Sequence, residues 1–85
     1  MRPDVQRQIA AIVLSIHRRN GGSLESFDFQ LLLLDASLLL DSLDLAEAMA
    51  SIEQRFGVSP FERHLPRTWA DVVAIITQSS GSASP

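Results

Sequence analysis

The chain contains no cysteine among its 85 residues, which excludes disulfide bridges and thiolate metal sites. It also contains no lysine, so its positive charge comes from seven arginines, against ten acidic residues. The net charge of -3 provides no basic field for a phosphate backbone, and we expect no nucleic-acid partner. Only His17 and His64 could supply an imidazole, and their spacing matches no paired-histidine metal motif.

A hydrophobic run long enough to cross a bilayer is also lacking. The most apolar stretch, residues 31–45, is interrupted by Asp35, Asp41 and Asp44. The opening residues Met1-Arg2-Pro3-Asp4 do not lead into an apolar signal sequence. We therefore expect a cytoplasmic protein without membrane insertion.

The composition is that of a globular domain, with 46% hydrophobic and 20% charged residues. At this length the chain is near the lower limit for a domain without covalent staples, so packing must supply the core. We expect one helical domain over residues 1–78. Residues 79–85 are small and polar and are predicted to form a disordered tail.

Hydrophobic periodicity predicts three longer helices. Their expected bounds are residues 4–19, residues 42 or 43 to 56, and about 69 to about 78. Asn20-Gly21-Gly22 ends the first helix and Gly57 ends the second, as glycine commonly does. The predicted buried faces comprise Val5, Ile9, Ile12, Val13 and Ile16 in the first helix, Leu45, Met49, Ile52 and Phe56 in the second, and Trp69, Val72, Val73 and Ile76 in the last.

A fourth, short helix is predicted from Ser59-Pro60-Phe61-Glu62, which has the form of a capping box with proline at the first helical position. Leu65-Pro66 would end it. Thr68-Trp69-Ala70-Asp71 repeats the capping pattern before the last helix. The predicted fold is therefore an all-α four-helix bundle of three longer helices and one short helix, with a long first loop.

The first loop, residues 22–40, has no clean period but is too apolar for a mobile linker. We expect it to pack over the core, with a helical turn near residues 27–33. In the preceding helix, His17 is expected to be partly exposed, and Arg18 and Arg19 to complement the negative helix end. The periodicity leaves open whether Leu14 is buried.

Asp41-Ser42-Leu43 is the candidate site because it begins the amphipathic second helix. The first N–H groups of a helix lack intrahelical partners, so a phosphodiester on Ser42 would be stabilised there. The alternative is that Asp41 or Ser42 merely caps the helix. No histidine or lysine lies near Ser42 in sequence, which favours modification of the serine over nucleophilic catalysis by it.

Residues 38–58, LLLDSLDLAEAMASIEQRFGV, resemble the recognition region of acyl carrier proteins. In that family Asp-Ser-Leu opens the second helix, and a glutamate follows five residues after the serine, here Glu47. A Glu-x-x-Phe-Gly-like ending closes the helix, here Glu53 to Gly57. The likeness continues through Thr68-Trp-Ala-Asp-Val-Val to Ile76, and the order of helices fits residues 4–78.

The resemblance implies a stand-alone, monomeric carrier of acyl or polyketide-type intermediates rather than an enzyme. Ser42, between Asp41 and Leu43, would carry 4′-phosphopantetheine, attached covalently from coenzyme A by a phosphopantetheinyl transferase. The thiol of this arm would hold thioesters of fatty acid or polyketide biosynthesis. Acyl-loading, condensing and modifying enzymes would dock through basic surfaces. The implied partner-binding residues are Asp44, Glu47, Ala50 and Glu53.

Two features depart from the family pattern. Leu39 stands where a glycine often lies three residues before the serine, which puts the loop path there in question. Gln54 and Arg55 end the second helix where strongly acidic members carry more acid, which favours a specialised pathway. The alternatives are a peptidyl or aminoacyl carrier, disfavoured by the leucines before Asp41, and a helical interaction module that has lost the prosthetic group.

Overall fold

The computed structural model describes residues 3–62 and 64–82. These ranges hold three α-helices, α1 (Pro3–Arg19), α2 (Ser42–Phe56) and α3 (Trp69–Ser82), and a 3₁₀ turn at Ala36–Leu38. The prediction of an all-α fold is therefore confirmed. None of the described helices combines the length and the apolar character needed to cross a membrane.

The predicted bounds of α2 are confirmed by its caps. Asp41 is the N-cap residue, and Gly57 takes the left-handed conformation at φ 73° that ends the helix. The predicted capping pattern before α3 also forms: the backbone N–H groups of Arg67 and Thr68 donate to the Asp71 carboxylate at 2.9 and 3.1 Å. The Asp71 N–H in turn donates to the Thr68 hydroxyl.

The helix α3 continues to Ser82, beyond the predicted end near residue 78. It thus includes the first four residues of the segment predicted to be a tail. Residues 83–85, to which that prediction also applies, lie outside the described residues. Residues 77–80 contain neither glycine nor proline to stop the helix, whereas Gly57 ends α2 in the left-handed conformation.

The predicted short helix is not formed in the described part of residues 57–68, so a four-helix bundle is not confirmed. One turn forms instead, in which the Glu62 N–H donates to the Ser59 carbonyl at 3.2 Å. Two prolines of this segment, Pro60 and Pro66, are buried against the rest of the molecule. A helix of this length has too few internal hydrogen bonds to repay its nucleation.

The core is built on α1, which packs against both α2 and α3. The helices α1 and α2 are antiparallel, because Arg19 contacts Glu47 near one end and Arg55 contacts Gln8 near the other. The predicted apolar faces are confirmed, and Leu14 is also buried. The buried cluster comprises Val5, Ile9, Val13, Ile16, Leu33, Leu38, Ala48, Ile52, Trp69, Val72, Val73 and Ile76.

The loop between α1 and α2 covers this core, as predicted. Leu33 and Leu38 are buried, and Phe27 and Phe29 pack edge to face with centroids 4.9 Å apart. The helical turn lies at Ala36–Leu38 rather than at residues 27–33. The Asp35 carboxylate determines this position, because it accepts hydrogen bonds from the backbone N–H and the hydroxyl of Ser37.

His17 is buried, with 2% of its surface exposed, so the expectation of partial exposure is wrong. The Leu24 N–H donates to Nε2 at 3.1 Å, which leaves the ring proton on Nδ1. Nδ1 then donates to the Leu38 carbonyl at 2.9 Å. One side chain therefore joins α1 to both ends of the apolar loop.

Gly22 makes room for this ring. A Cβ atom at residue 22 would overlap the His17 imidazole, and the Gly22 N–H donates to the His17 carbonyl at 2.9 Å. The close approach of the ring requires that residue 22 have no side chain, whereas the hydrogen bond needs only its backbone N–H.

We predict that Gly22→Ala lowers the free energy of unfolding by about 1–3 kcal/mol, because the new methyl group displaces the His17 ring. Urea denaturation followed by circular dichroism measures the change. Ser23→Ala, at the exposed neighbouring position, is the matched control and should unfold like the wild type. Equal midpoints for the two variants would contradict this role of Gly22.

Candidate functional site at the start of α2

Ser42 is the first residue of α2 and is exposed. The cap belongs to its neighbour: the Asp44 N–H donates to the Asp41 carboxylate at 2.8 Å, and the Asp41 N–H donates to Asp44 at 3.2 Å. This reciprocal pair is a complete capping box. The Ser42 hydroxyl takes no part in it and is left at the surface.

The electrostatic setting of Ser42 suits an anion. The first intrahelical bond of α2 runs from the Leu45 N–H to the Asp41 carbonyl, so the N–H groups of Ser42 and Leu43 precede the helical ladder. They form the positive end of the helix dipole. A negative group beside such an end is stabilised by about 0.3–1 kcal/mol. A phosphodiester on the serine oxygen fits this position.

The predicted partner-binding residues Asp44 and Glu47 share a cation from α1. Arg19 donates to both oxygens of Glu47 at 2.9 Å and to Asp44 at 3.1 Å. Arg19 was predicted to complement the negative end of α1, but its main contacts are with these two carboxylates of α2. The two carboxylates lie on one side of α2 but are not two unpaired charges.

Asn20 adds a second link between α1 and the site. Its amide nitrogen donates to the Leu39 carbonyl and to the Asp44 carboxylate, both at 2.8 Å. Together with His17 and Arg19 it forms a group at the end of α1 that we call the α1 clamp. The clamp holds the chain directly before Ser42 and the first turn that follows it.

These contacts shift the ionisation of the site. The backbone N–H of Asp41 and then the Asn20 amide lower the pKa of Asp44. The hydrogen bond from Arg19 lowers the pKa of Glu47, and the same bond raises the pKa of Arg19. All three groups are therefore charged at neutral pH, with a combined charge of one negative unit.

Leu39 lies three residues before Ser42 in an unusual conformation. Among the described residues it is the only non-glycine residue at positive φ, with φ 60° and ψ 33°. A leucine in this left-handed region costs about 1–2 kcal/mol. The backbone there thus takes the conformation that a glycine adopts readily, although the side chain is a leucine.

The remaining predicted site residues are exposed along α2. Leu43, with 80% of its surface exposed, shares one face with Glu47 and Ala50, at intervals of four and three residues. Glu53 lies further along the helix, in its C-terminal half, and is also exposed. Leu43, Glu47 and Ala50 therefore lie on one face of α2, in the part of the helix that follows Ser42.

Within the part of the chain that the structure describes, neither a nucleophilic dyad nor a metal centre is built around the serine. His17 is buried in its two hydrogen bonds, and His64 lies in the connection before α3. Across residues 3–62 and 64–82, no group of three or more histidine, aspartate and glutamate side chains is placed to hold a metal ion.

Comparison with known proteins assigns no family to the chain. No protein-family model, no curated protein and no solved structure matches it. The resemblance to acyl carrier proteins therefore depends on the motif residues of the sequence alone.

Acid should weaken the attachment of α2. The pKa values of Asp44 and Glu47 are lower in the folded state than in the unfolded state. The two carboxylates therefore stabilise the fold at any pH above their unfolded pKa values, which are near 4, and this stabilisation is lost as the pH falls through their folded pKa values. We predict that Asp44→Asn unfolds more easily at pH 7 and loses less stability between pH 5 and pH 3 than the wild type. Urea denaturation across this range measures both effects.

Glu53→Gln, at an exposed position of α2 outside the clamp, is the matched control. Its pH profile should follow that of the wild type. If Asp44→Asn and Glu53→Gln showed the same pH dependence of the free energy of unfolding, ionisation of Asp44 would not contribute to stability.

Proposed function

We propose that the chain is a carrier protein that bears 4′-phosphopantetheine on the Ser42 oxygen and delivers acyl or polyketide-type intermediates to partner enzymes. The observation that carries the proposal is that the residues around Ser42 cap α2 without using the Ser42 hydroxyl. Asp41 and Asp44 complete the capping box between themselves, which leaves the serine hydroxyl exposed and uncommitted.

The surroundings of Ser42 fit the group. A phosphodiester at this oxygen would lie beside the N–H groups of Ser42 and Leu43 and at the positive end of α2. When bound, the arm would supply a thiol that holds the cargo as a thioester. The chain itself supplies no cysteine for this purpose.

The α1 clamp supports the proposal mechanically. His17 holds the Leu38 carbonyl, and Asn20 holds the Leu39 carbonyl and the Asp44 carboxylate. The segment that enters α2 is therefore fixed from a neighbouring helix. A flexible arm on a fixed base can reach several enzymes while the protein surface that they recognise stays constant.

An acyl-carrier-like arrangement belongs to the same proposal. The three long helices follow one another in the family's order, with the long loop between the first two. The described part of residues 57–68 contains a turn in place of the family's short helix, so this segment is where the chain departs from the pattern.

Partner enzymes would meet a mildly acidic face. Glu47 and Asp44 lie beside Arg19, and Asp41 and Glu53 add exposed carboxylates along α2. Complementary charge of this kind increases the rate of encounter more than it increases affinity. A carrier that must leave each enzyme after one reaction benefits from that balance.

Attachment of the arm is tested by incubating the chain with coenzyme A and a phosphopantetheinyl transferase. We predict that intact-mass spectrometry finds one added arm on the wild type and none on Ser42→Ala. Ser51→Ala, on the same helix, is the matched control and should be labelled like the wild type. Equal labelling of Ser42→Ala and wild type would refute the site, and no labelling of either would favour a helical interaction module.

The docking role of the acidic face has a separate test. We predict that Glu47→Arg lowers kcat/KM for arm transfer about tenfold at low salt, because it replaces an attractive charge with a repulsive one. The loss should shrink as salt screens the interaction. Glu25→Arg makes the same change of charge at an exposed position of the loop between α1 and α2 and should have little effect. Equal rates for both variants would leave Glu47 as an ordinary surface charge.

A further inference from the structure

Residues 23–28, which we call the flap, are the part of the loop between α1 and α2 with the fewest polar attachments. After the flap, the chain is held to α3, because the Ala70 N–H donates to the Phe29 carbonyl at 2.7 Å. Near the start of the flap, the Leu24 N–H donates to Nε2 of His17 at 3.1 Å. A hydrogen bond to one buried side chain therefore holds the first half of the flap on α1.

The flap carries Phe27 over the core without packing it closely. The Phe27 ring meets the Trp69 indole edge to face, with centroids 5.8 Å apart. Depressions of about 280 and 380 Å³ adjoin the Phe27 ring, the first lined by Ala10 and Leu14 of α1 and the second by Val73 of α3. The indole N–H is buried without a hydrogen-bond partner among the described residues, which is a cost of the closed flap. The ring therefore has room to leave the indole.

The closed flap requires a neutral ring at His17. Nε2 accepts from the Leu24 N–H, whereas Nδ1 donates to the Leu38 carbonyl at 2.9 Å. A second proton would bind to Nε2, and both nitrogens of an imidazolium are donors. The new N–H would face the Leu24 N–H in a site where 2% of the histidine is exposed. Protonation of the ring and closure of the flap at Leu24 are therefore mutually exclusive.

The same proton leaves the other contact of the ring in place. Nδ1 carries its N–H in both protonation states and continues to donate to the Leu38 carbonyl, more strongly when the ring is charged. Asn20 holds the next residue as well, through the Leu39 carbonyl. Uptake of a proton therefore releases the flap, while the chain that enters α2 stays fixed.

The charges around the ring do not favour a cation in the closed flap. Across the described residues, both ring nitrogens contact backbone groups rather than carboxylates. The Arg18 guanidinium contacts the Leu24 carbonyl at 3.5 Å, so one cation already lies beside this residue. The carboxylates of Asp44 and Glu47 are bound to Arg19. The charged groups on the elements around the ring are Arg18 and Arg19 on α1, Glu25, Asp28, Asp35 and Asp41 in the loop, and Asp44 and Glu47 on α2.

We propose that His17 is a proton-operated latch: uptake of one proton at Nε2 releases the flap from α1 and uncovers Trp69, while the start of α2 keeps its position. The proton comes from solvent and takes the place of the Leu24 N–H at Nε2. An imidazole in water takes up this proton at about pH 6.5. The latch therefore opens in mild acid, before the carboxylates of the chain are protonated. It operates whether or not Ser42 is modified.

Amide hydrogen exchange between about pH 7.5 and pH 5 tests the latch on the unmodified chain. We expect the protection factor of the Leu24 amide, which is the ratio of its intrinsic to its measured exchange rate, to fall about tenfold per pH unit below about pH 6.5. The open flap binds one proton more than the closed flap, which sets this slope. The Leu45 amide, which donates to the Asp41 carbonyl in α2, should keep its protection factor. Fluorescence of Trp69, the single tryptophan, should change with the Leu24 amide.

Two variants assign the transition to its histidine. His17→Gln has no imidazole to protonate, so the protection factor of its Leu24 amide should not depend on pH in this range. His64→Gln is the matched control, because it replaces the other histidine at an exposed position, and it should behave like the wild type. If His17→Gln does not fold, the nitrogen-15 shifts of the wild-type imidazoles decide, because His17 must become charged as the Leu24 amide loses protection.

Three results would overturn the inference. A protection factor of Leu24 that is constant with pH, or that falls equally in His17→Gln, would show that the ring is not the latch. A charged His17 beside a fully protected Leu24 amide would show that the closed flap accommodates the proton. Loss of protection at Leu45 together with Leu24 would show general unfolding in place of release of the flap.

Discussion

The two hydrogen bonds of the His17 ring are the constraint on which the rest of the structure depends. They satisfy the Leu24 N–H and the Leu38 carbonyl, which lie near the two ends of the apolar loop. Each of these backbone groups would cost about 1–3 kcal/mol if left buried without a partner. The loop can therefore lie over the core only because one imidazole supplies an acceptor to one end and a donor to the other, in the space that Gly22 leaves open.

The same end of α1 controls the candidate site. From His17 the contacts continue through Arg19 and Asn20 to the residues on both sides of Ser42. The entry into α2 is thus held by side chains of another helix, while the capping box satisfies its first donors. Ser42 can remain exposed because neither task needs its hydroxyl. Fixing the backbone while freeing one side chain is what an attachment point requires.

The sequence predicted the features that depend on local interactions. The caps at Asp41, Gly57 and Asp71 and the buried faces of three helices all follow from residues within one or two turns. The short helix failed because a capping pattern cannot by itself supply enough helix to be stable. The contacts that the sequence did not predict join residues far apart in the chain.

His17 was expected at the surface because its partners lie 7 and 21 residues away, and Arg19 was given a local role although it reaches residues 25 and 28 positions further on. Periodicity cannot report such pairs. The conformation of Leu39 was also invisible, since nothing in a leucine predicts a left-handed backbone. The candidate serine could be singled out because its motif is local. The carrier function stays a proposal, because the prosthetic group and the enzymes that it would need lie outside the chain.

The two acidic residues beside Ser42 are not equivalent, and the difference bears on how a partner could use them. The Asp44 side chain is only 15% exposed and is committed to the Asp41 N–H, Asn20 and Arg19, so drawing it towards another protein would dismantle the start of α2. Glu47 is 48% exposed and bound to Arg19 alone among the contacts described. An exposed ion pair of this kind contributes little to stability because solvent screens it, so a partner's arginine can replace Arg19 at little cost. Glu47 is therefore the exchangeable charge on this face, and Asp44 belongs to the fold.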